Sequence, residues 1–465
     1  MIGEIKHVHF LGICGTAMAS VAAAMKERGY RVSGSDQNMY PPMSDFLIEK
    51  KIETRKGYSA ENLNLKPDLM VIGNAISRGN PELEAVLERK LPYLSLPELL
   101  KHFFIQGKRN IVVTGTHGKT TVTSVIAWIL ECANFNPSYL IGGIPENFSV
   151  GARFTDSDFF VLEGDEYDTA FFDKRSKFVH YLPEIAVINN LEYDHADIFK
   201  DLASIQYMFS RMVHIVPRNG VILANGDEPN IAPVLDKAHA PTVTFGLTER
   251  SEKQAINLSL QAEASEFEID GHRYRIPLIG AFNVRNALAA TLVARQCGIS
   301  PETIQRALET FKGVKRRQQV RAEPGGITII DDFAHHPTAI ESTIEALRVR
   351  YPGRRIWAVF EPRSNTTRRN VFQSALARSL SRADRVTVAQ VARLEQLQPE
   401  ERLDPSALMI GIREHGSDAF YGETTDAILD ELLSNACEGD VIAILSNGGF
   451  DNLHDRLITG LEKRQ

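Results

Sequence analysis

Thr114-Gly115-Thr116-His117-Gly118-Lys119-Thr120-Thr121, TGTHGKTT, is the stretch that decides the fold. A full phosphate loop, G-x-x-x-x-G-K-[ST], needs glycine where Val113 stands, so the match is to G-x-x-G-K-T-T alone. The flanks supply what the shortened motif lacks. Ile111 to Val113 reads as a short buried strand, and TTVTSVIAWILECA has the apolar spacing of a helix. Strand, glycine turn and helix in succession leave free N–H groups at the helix start, where the macrodipole also favours an anion. Lys119 adds a point charge, and the Thr120 hydroxyl is placed for Mg2+. Gly115, Thr116, His117, Gly118, Lys119, Thr120 and Thr121 are therefore candidate contacts to a nucleotide phosphate.

Outward from this loop, two more strands end in polar clusters. DFFVLEGDEYD leads to Glu163, Asp165 and Glu166; IAVINNLEYDH leads to Asn189, Asn190, Asp194 and His195. In an open parallel sheet, ligand groups gather beyond the carboxyl ends of the strands, so the loop and both clusters are expected on one edge. Residues 256 to 278 alternate with period two around Asp270-Gly271, which predicts an antiparallel flap. Asn283 and Asn286, three apart in a helical pattern, share a face. Spacing alone favours local capping or packing for them. Ser300-Pro301 has the chemistry of a helix start.

A unit before and a unit after repeat the α/β pattern. The first opens with strand Val8 to Leu11, the turn GICGTA and a helix reaching Gly29, followed by a strand ending at Asp36. A dinucleotide fingerprint needs glycine where Cys14 stands, which counts against a nicotinamide cofactor and still allows a nucleotide diphosphate at the helix start. Asp36 then faces either a ribose or a loop amide. A further strand ends at Asn74, Ala75 and Ile76. After the basic Lys315, Arg316 and Arg317 comes a third unit, in which a strand runs into Asp331, Asp332, His335 and His336. Two adjacent histidines fall short of a zinc ligand set, so helix capping or phosphate contact is expected of them. EPRSNT and LSNGGF are polar loops after two more strands. Arg363 there suits a carboxylate bidentately, and the turn from Ser446 and Asn447 to Phe450 offers backbone N–H groups. The expected division is 1–108, 109–312 and 313–465.

The 465 residues include 43% hydrophobic and 24% charged side chains with a net charge of -7, a globular composition that argues against broad nucleic-acid or membrane-surface binding. Cys14, Cys132, Cys297 and Cys437 form no C-x-x-C pair, which suits a reducing compartment. No leader and no long apolar run is visible, so a cytoplasmic protein is expected. Nothing in the sequence speaks to oligomeric state.

GTHGKTT, EGDEYD, NNLEYDH, FNVRNALAA, KRR and DDFAHHPT occur in one order over essentially the whole chain. In this the sequence resembles the Mur ligase superfamily. The resemblance implies a three-domain α/β fold: a Rossmann-like UDP-binding domain, a central P-loop ATPase domain with a parallel sheet, and a Rossmann-like C-terminal domain. It implies ATP and Mg2+ as cofactors. YPPMS, EYDTAFFDKRSKFVHY, EPRSNT and LSNGGF look like the branch that joins UDP-N-acetylmuramate to a murein tripeptide; addition of L-alanine is the alternative, and a non-catalytic nucleotide switch is a rival of another class. By the same resemblance Lys119 and Thr120 hold phosphates and Mg2+, Glu163 and His195 complete the metal site, and Asn283 and Asn286 hold adenine. Arg317 and Asp332 reach the phosphates and ribose from the third domain. Gly12, Cys14, Gly15, Thr16, Asp36, Asn74, Ala75 and Ile76 contact the UDP-sugar, with Lys119, Glu163, His195 and Arg317 catalytic. The lysine that several members carbamylate has no counterpart around Ser210.

Overall fold

The computed structural model describes residues 4–464; Met1–Gly3 and Gln465, included in the expected first and third domains, lie outside the described residues. The first sheet has five parallel strands in the order Glu53–Lys56, Arg31–Asp36, His7–Leu11, Leu69–Ile72, Tyr93–Ser95. Its two central strands, His7–Leu11 and Leu69–Ile72, are buried along their whole length; Val8 and Phe10 give an apolar face, whereas on the other His7 and His9 bond the Ser33 hydroxyl at 2.7 Å and His9 reaches Glu82 at 2.8 Å. Chain order reverses between these two strands, so a crevice opens at their carboxyl ends, above the Gly12 to Thr16 turn.

The second sheet runs Lys253–Gln254, Thr242–Gly246, Val221–Asn225, Ile185–Ile188, Arg109–Thr114, Phe159–Glu163, Ser138–Leu140, Ala152–Arg153, and all its pairings are parallel except the last. Arg109–Thr114 is central, with Phe159–Glu163 on one side and Ile185–Ile188 on the other. The phosphate loop and both polar clusters therefore share one edge, as their positions at strand ends predict. Helix Lys119–Cys132 buries Val122, Val125, Ile126 and Ile129 completely, each contributing about 1.5–3 kcal/mol, and this anchors the loop at its start. Gly118 has a φ of 77°, and a Cβ there would stand 2.6 Å from both Asn189 Nδ2 and Asn286 Oδ1. Only glycine fits.

Residues 256–276 form a three-stranded antiparallel meander, Ile256–Leu260, Ser265–Ile269 and His272–Ile276, turning at Asp270 and Gly271, both with positive φ. The third sheet orders Gln319–Ala322, Thr328–Asp332, Val441–Leu445, Ile356–Phe360, Arg385–Ala389 and Asp418–Gly422; only the first pairing is antiparallel. Among the described residues no helix is long and apolar enough to cross a membrane.

Candidate active site

A cavity of about 1910 Å³ is walled by all three units: the Gly12 turn and Asn74 from the first, the phosphate loop from the second, Arg317 and Phe333 from the third. At its centre, helix Lys119–Cys132 starts at Gly118 without any side-chain cap. Its first N–H groups are thus left for an anion. Lys119 Nζ reaches the Gly115 carbonyl at 2.6 Å and the two Glu166 carboxylate oxygens at 2.7 and 2.9 Å. Burial opposes its charge, but Glu166, Asp165 and Glu163 outweigh burial and push the ammonium pKa above its ordinary value. Glu166 in turn is held low despite burial, by Lys119 and by His195, whose Nε2 lies 2.7 Å away.

Glu163 sits on the other side of the loop. It accepts from the Thr120 hydroxyl at 2.9 Å and from the Gly142 N–H at 2.6 Å, and burial drives its carboxyl pKa up. Arg317 of the third unit donates to the same Thr120 hydroxyl at 3.3 Å and lies over the Phe333 ring at 4.7 Å. Burial lowers its pKa. Asp332 holds that arrangement through the backbone, accepting the Gln318 N–H and the Ala334 N–H at 2.7 Å each. The basic segment is a strap rather than a loose hinge: Lys315 N–H binds the Ile144 carbonyl, and Arg316 binds the carbonyls of Ser446 and Gly448.

Asn283 and Asn286 are both buried, and Asn286 Nδ2 donates to Asn283 Oδ1 at 3.2 Å. Asn189 donates to Asn286 at 3.0 Å. Beside them Asn189 Oδ1 and Gln318 Nε2 are buried without a partner, an acceptor and a donor left over. Of the two, Gln318 lines the cavity, so its free donor is placed for an acceptor atom of a heteroaromatic ring.

In the first unit the carboxylate of Asp36 accepts the Cys14 N–H at 2.9 Å and the Asn38 N–H at 3.0 Å, so its observed partners are loop amides. Helix Thr16–Glu27 starts at Gly15 with no side-chain cap. Cys14 is held unreactive, as burial and Asp36 push its thiol up to about 11. Asn74 and Ala75 are exposed, whereas Ile76 turns inward against Gly12. Arg363, Ser446 and Asn447 do not line the cavity. Arg363 lies 3.8 Å from Glu361, and the buried Ser446 gives its hydroxyl to Glu361 and takes the Gly448 N–H. Arg175 is bound to Asp173 and Lys177 to Asp165.

Thr120 and Glu163 offer two oxygen donors side by side, which suits a hard cation such as Mg2+. His195 is separated from them by its bond to Glu166. Among the described residues, the groups that bring three histidine, cysteine or carboxylate donor atoms within 4.8 Å are His117, Glu192 and His336, and Glu98, Asp173 and His180. Glu192 and Gln318 are thus site residues that the sequence did not single out, while Glu166 was expected only as a member of a polar cluster and His336 only as a helix cap or phosphate contact. The Glu163-x-x-Glu166 spacing was the available signal for Glu166. The others depend on contacts between distant segments.

The family model described as Mur ligase middle domain matches residues 113–294, that described as Mur ligase family, catalytic domain matches 7–107, and that described as Mur ligase, glutamate ligase domain matches 316–448. The UDP-N-acetylmuramate:L-alanyl-gamma-D-glutamyl-meso-2,6-diaminoheptandioate ligase of Escherichia coli strain K12 is 42% identical over 461 residues, covering 98% of each chain. The UDP-N-acetylmuramate:L-alanine ligase of Solibacter usitatus is 33% identical, over 98% of this chain and 95% of that one. The crystal structure of a murein peptide ligase from Psychrobacter arcticus superposes with a TM-score of 0.73 at 35% identity, covering 98% of this chain and 99% of that one. With three family models in sequence and whole-length identity above 40%, the chain belongs to the Mur ligase family.

Proposed function

We propose that this chain is an ADP-forming ligase that joins UDP-N-acetylmuramate to L-alanyl-γ-D-glutamyl-meso-diaminopimelate, a cytoplasmic step of peptidoglycan recycling. The observation that carries the acceptor is the 42% whole-length identity to a ligase named for that tripeptide, against 33% to one named for L-alanine. The cavity supports the chemistry, since donor turn, phosphate loop and Arg317 meet in it. We further divide the chain at 108/109 and 312/313, between the first and second sheets and before the strap to the third.

In this reading the muramoyl carboxylate attacks the γ-phosphorus of ATP, the bond to the β–γ bridging oxygen breaks, and ADP leaves. The tripeptide amine then adds to the acyl carbon and expels phosphate. Two anions must meet, so this chain's task is to offset repulsion and hold them in line. The uncapped amides of Gly118 to Thr121 and the Lys119 ammonium take the phosphates, with Lys119 exchanging its contact to Glu166 for one to phosphate. Arg317 brings a second cation from the third unit, positioned by Asp332. Asn283 and Asn286 take the adenine. Thr120 and Glu163 would hold Mg2+, with His195 in reach directly or through water, and the ion would supply charge neutralisation at the phosphates. Closure of the third unit keeps water from the acyl phosphate. For the acceptor, Arg363 and the Ser446 and Asn447 turn lie off the cavity in this structure, so they can serve as carboxylate contacts only if Arg363 leaves Glu361 and the turn moves toward the phosphate loop.

The test is ADP release with UDP-N-acetylmuramate and MgATP, tripeptide against L-alanine, with the product identified by mass. Tripeptide preference with one amide per ADP is expected. Preference for L-alanine overturns the acceptor, and ADP release without amide leaves a nucleotide switch.

A further inference from the structure

His117, Glu192 and His336 come from three separate segments. His117 is inside the phosphate loop, Glu192 lies in the loop after strand Ile185–Ile188, and His336 is the N-cap residue of helix Pro337–Arg350 in the third unit. Their donor atoms converge. His117 Nε2 stands 2.7 Å from Glu192 Oε2 and 3.1 Å from His336 Nδ1, and His336 Nδ1 stands 3.4 Å from Glu192 Oε2. A tetrahedral ion with ligands at its usual bond length spaces its donors by about 3.3 Å, so this triangle needs only a few tenths of an ångström of adjustment to close around one.

The surroundings orient the His336 and Glu192 donors and fix the backbone that carries His117. His336 Nε2 is 3.2 Å from the Tyr193 carbonyl, which accepts from Nε2–H and leaves the lone pair on Nδ1. The Thr338 N–H also points at that lone pair, but at a long 3.3 Å. Thr338 Oγ1 donates to the other Glu192 oxygen at 2.9 Å, and the His117 backbone N–H is fixed by Asn190 at 2.7 Å. Such outer partners are what metal-ligating histidines and carboxylates ordinarily have. The side chains are 6–23% exposed, so ligation displaces little bulk water while one side stays open for a solvent ligand.

We propose that His117, Glu192 and His336 form a cation site separate from that for Mg2+, selective for a borderline divalent transition metal such as Zn2+, and that occupation clamps the third unit onto the phosphate loop. Two imidazoles and one carboxylate select against Mg2+, which prefers oxygen donors. Because His117 and His336 belong to different units, the bound ion resists their separation and slows turnover.

The test is titration of the metal-free full chain with Co2+, without nucleotide or Mg2+, followed by visible d–d absorption, with Zn2+ as displacing ion. The wild-type chain should give one Zn2+-displaceable site. His336→Asn keeps an N-cap side chain and removes the imidazole, and should weaken binding by at least about 10–100-fold, the range that outer-partner changes alone produce. Glu192→Gln, which keeps a hydrogen-bonding group toward Thr338, serves as the second variant and should show the same loss. An absent wild-type signal, or equal affinity in either folded variant, overturns the site; the second result would point to the exposed thiol of Cys437. For the clamp, Zn2+ added over excess Mg2+ should slow turnover of the wild type more than of His336→Asn. Equal slowing overturns it.

Discussion

The Gly12 to Thr16 turn and the Gly115 to Lys119 loop solve one backbone problem in the same way and then part. Each follows a buried central strand, and each opens a helix at a glycine with no side-chain cap. Both helix starts therefore present free N–H groups to the shared cavity. The difference lies in what surrounds them. Around the first turn the carboxylate of Asp36 is spent on loop amides, and the one nearby thiol is held unreactive. Around the second, Lys119, Glu163, Glu166, His195 and Arg317 crowd within reach of one another. An oriented helix start suffices to bind a phosphate; moving one requires charges held against burial.

Lys119→Ala tests the second half of that contrast hardest. Removing one preorganised cation from a site of developing negative charge should cost about 100-fold or more in turnover, measured as steady-state ADP release. The variant also leaves Glu166 with His195 as its ionic partner, so the loss should exceed what weaker ATP binding alone explains and persist at saturating ATP. Near-normal turnover would remove Lys119 from the chemistry and make the two turns equivalent.

Asp36→Ala tests the first half, with a smaller effect. The Cys14 N–H loses its carboxylate, and hydrogen bonds to charged groups contribute about 1.5–3 kcal/mol, so the turn loosens. The Michaelis constant for the UDP-sugar should rise about 10-fold while turnover at saturation holds, as expected when uniform binding alone is lost. A fall in turnover with an unchanged Michaelis constant would mean that the first turn takes part in the chemistry.

The contrast also marks what sequence can carry. The phosphate loop, Glu163 and His195 were legible because a parallel sheet sends every strand's carboxyl end to one edge, so local patterns translate directly into shared location. Which carboxylate faces Lys119 was not legible. EGDEYD offers three within four residues, and a turn with no helical or strand period decides that Glu166 takes Lys119 while Glu163 takes Thr120. Asp36 remained open between ribose and amide for a related reason, since the choice rests on the path of the Cys14 backbone. His336 reads as a cap, which it is, and its approach to His117 across 219 positions has no local sign.

The two turns act together only while the first unit stays against the second, and beside the first unit's Glu98 the second unit carries a group that titrates. The hairpin Asp168–Ala170 with Asp173–Ser176 places Asp173 between Arg175 at 2.7 Å and His180 at 2.9 Å, with the first unit's Glu98 in the same cluster. Burial pushes the Asp173 carboxyl up, but its bonds to Arg175 and His180 outweigh burial and hold it at about 2. In the unfolded chain the same group titrates near about 3.9. The folded value is the lower one, so the stabilisation is fully present above the unfolded value and is lost as pH falls toward 2. Because Arg175 is 53% exposed, solvent screening reduces the contribution to on the order of 1 kcal/mol. Asp173→Asn should therefore lower the urea midpoint slightly at pH 6, and the gap to the wild type should close as the pH approaches 2.5. A gap that stays constant with pH would mean that Asp173 acts by shape, and that the alignment of the two turns does not depend on its charge.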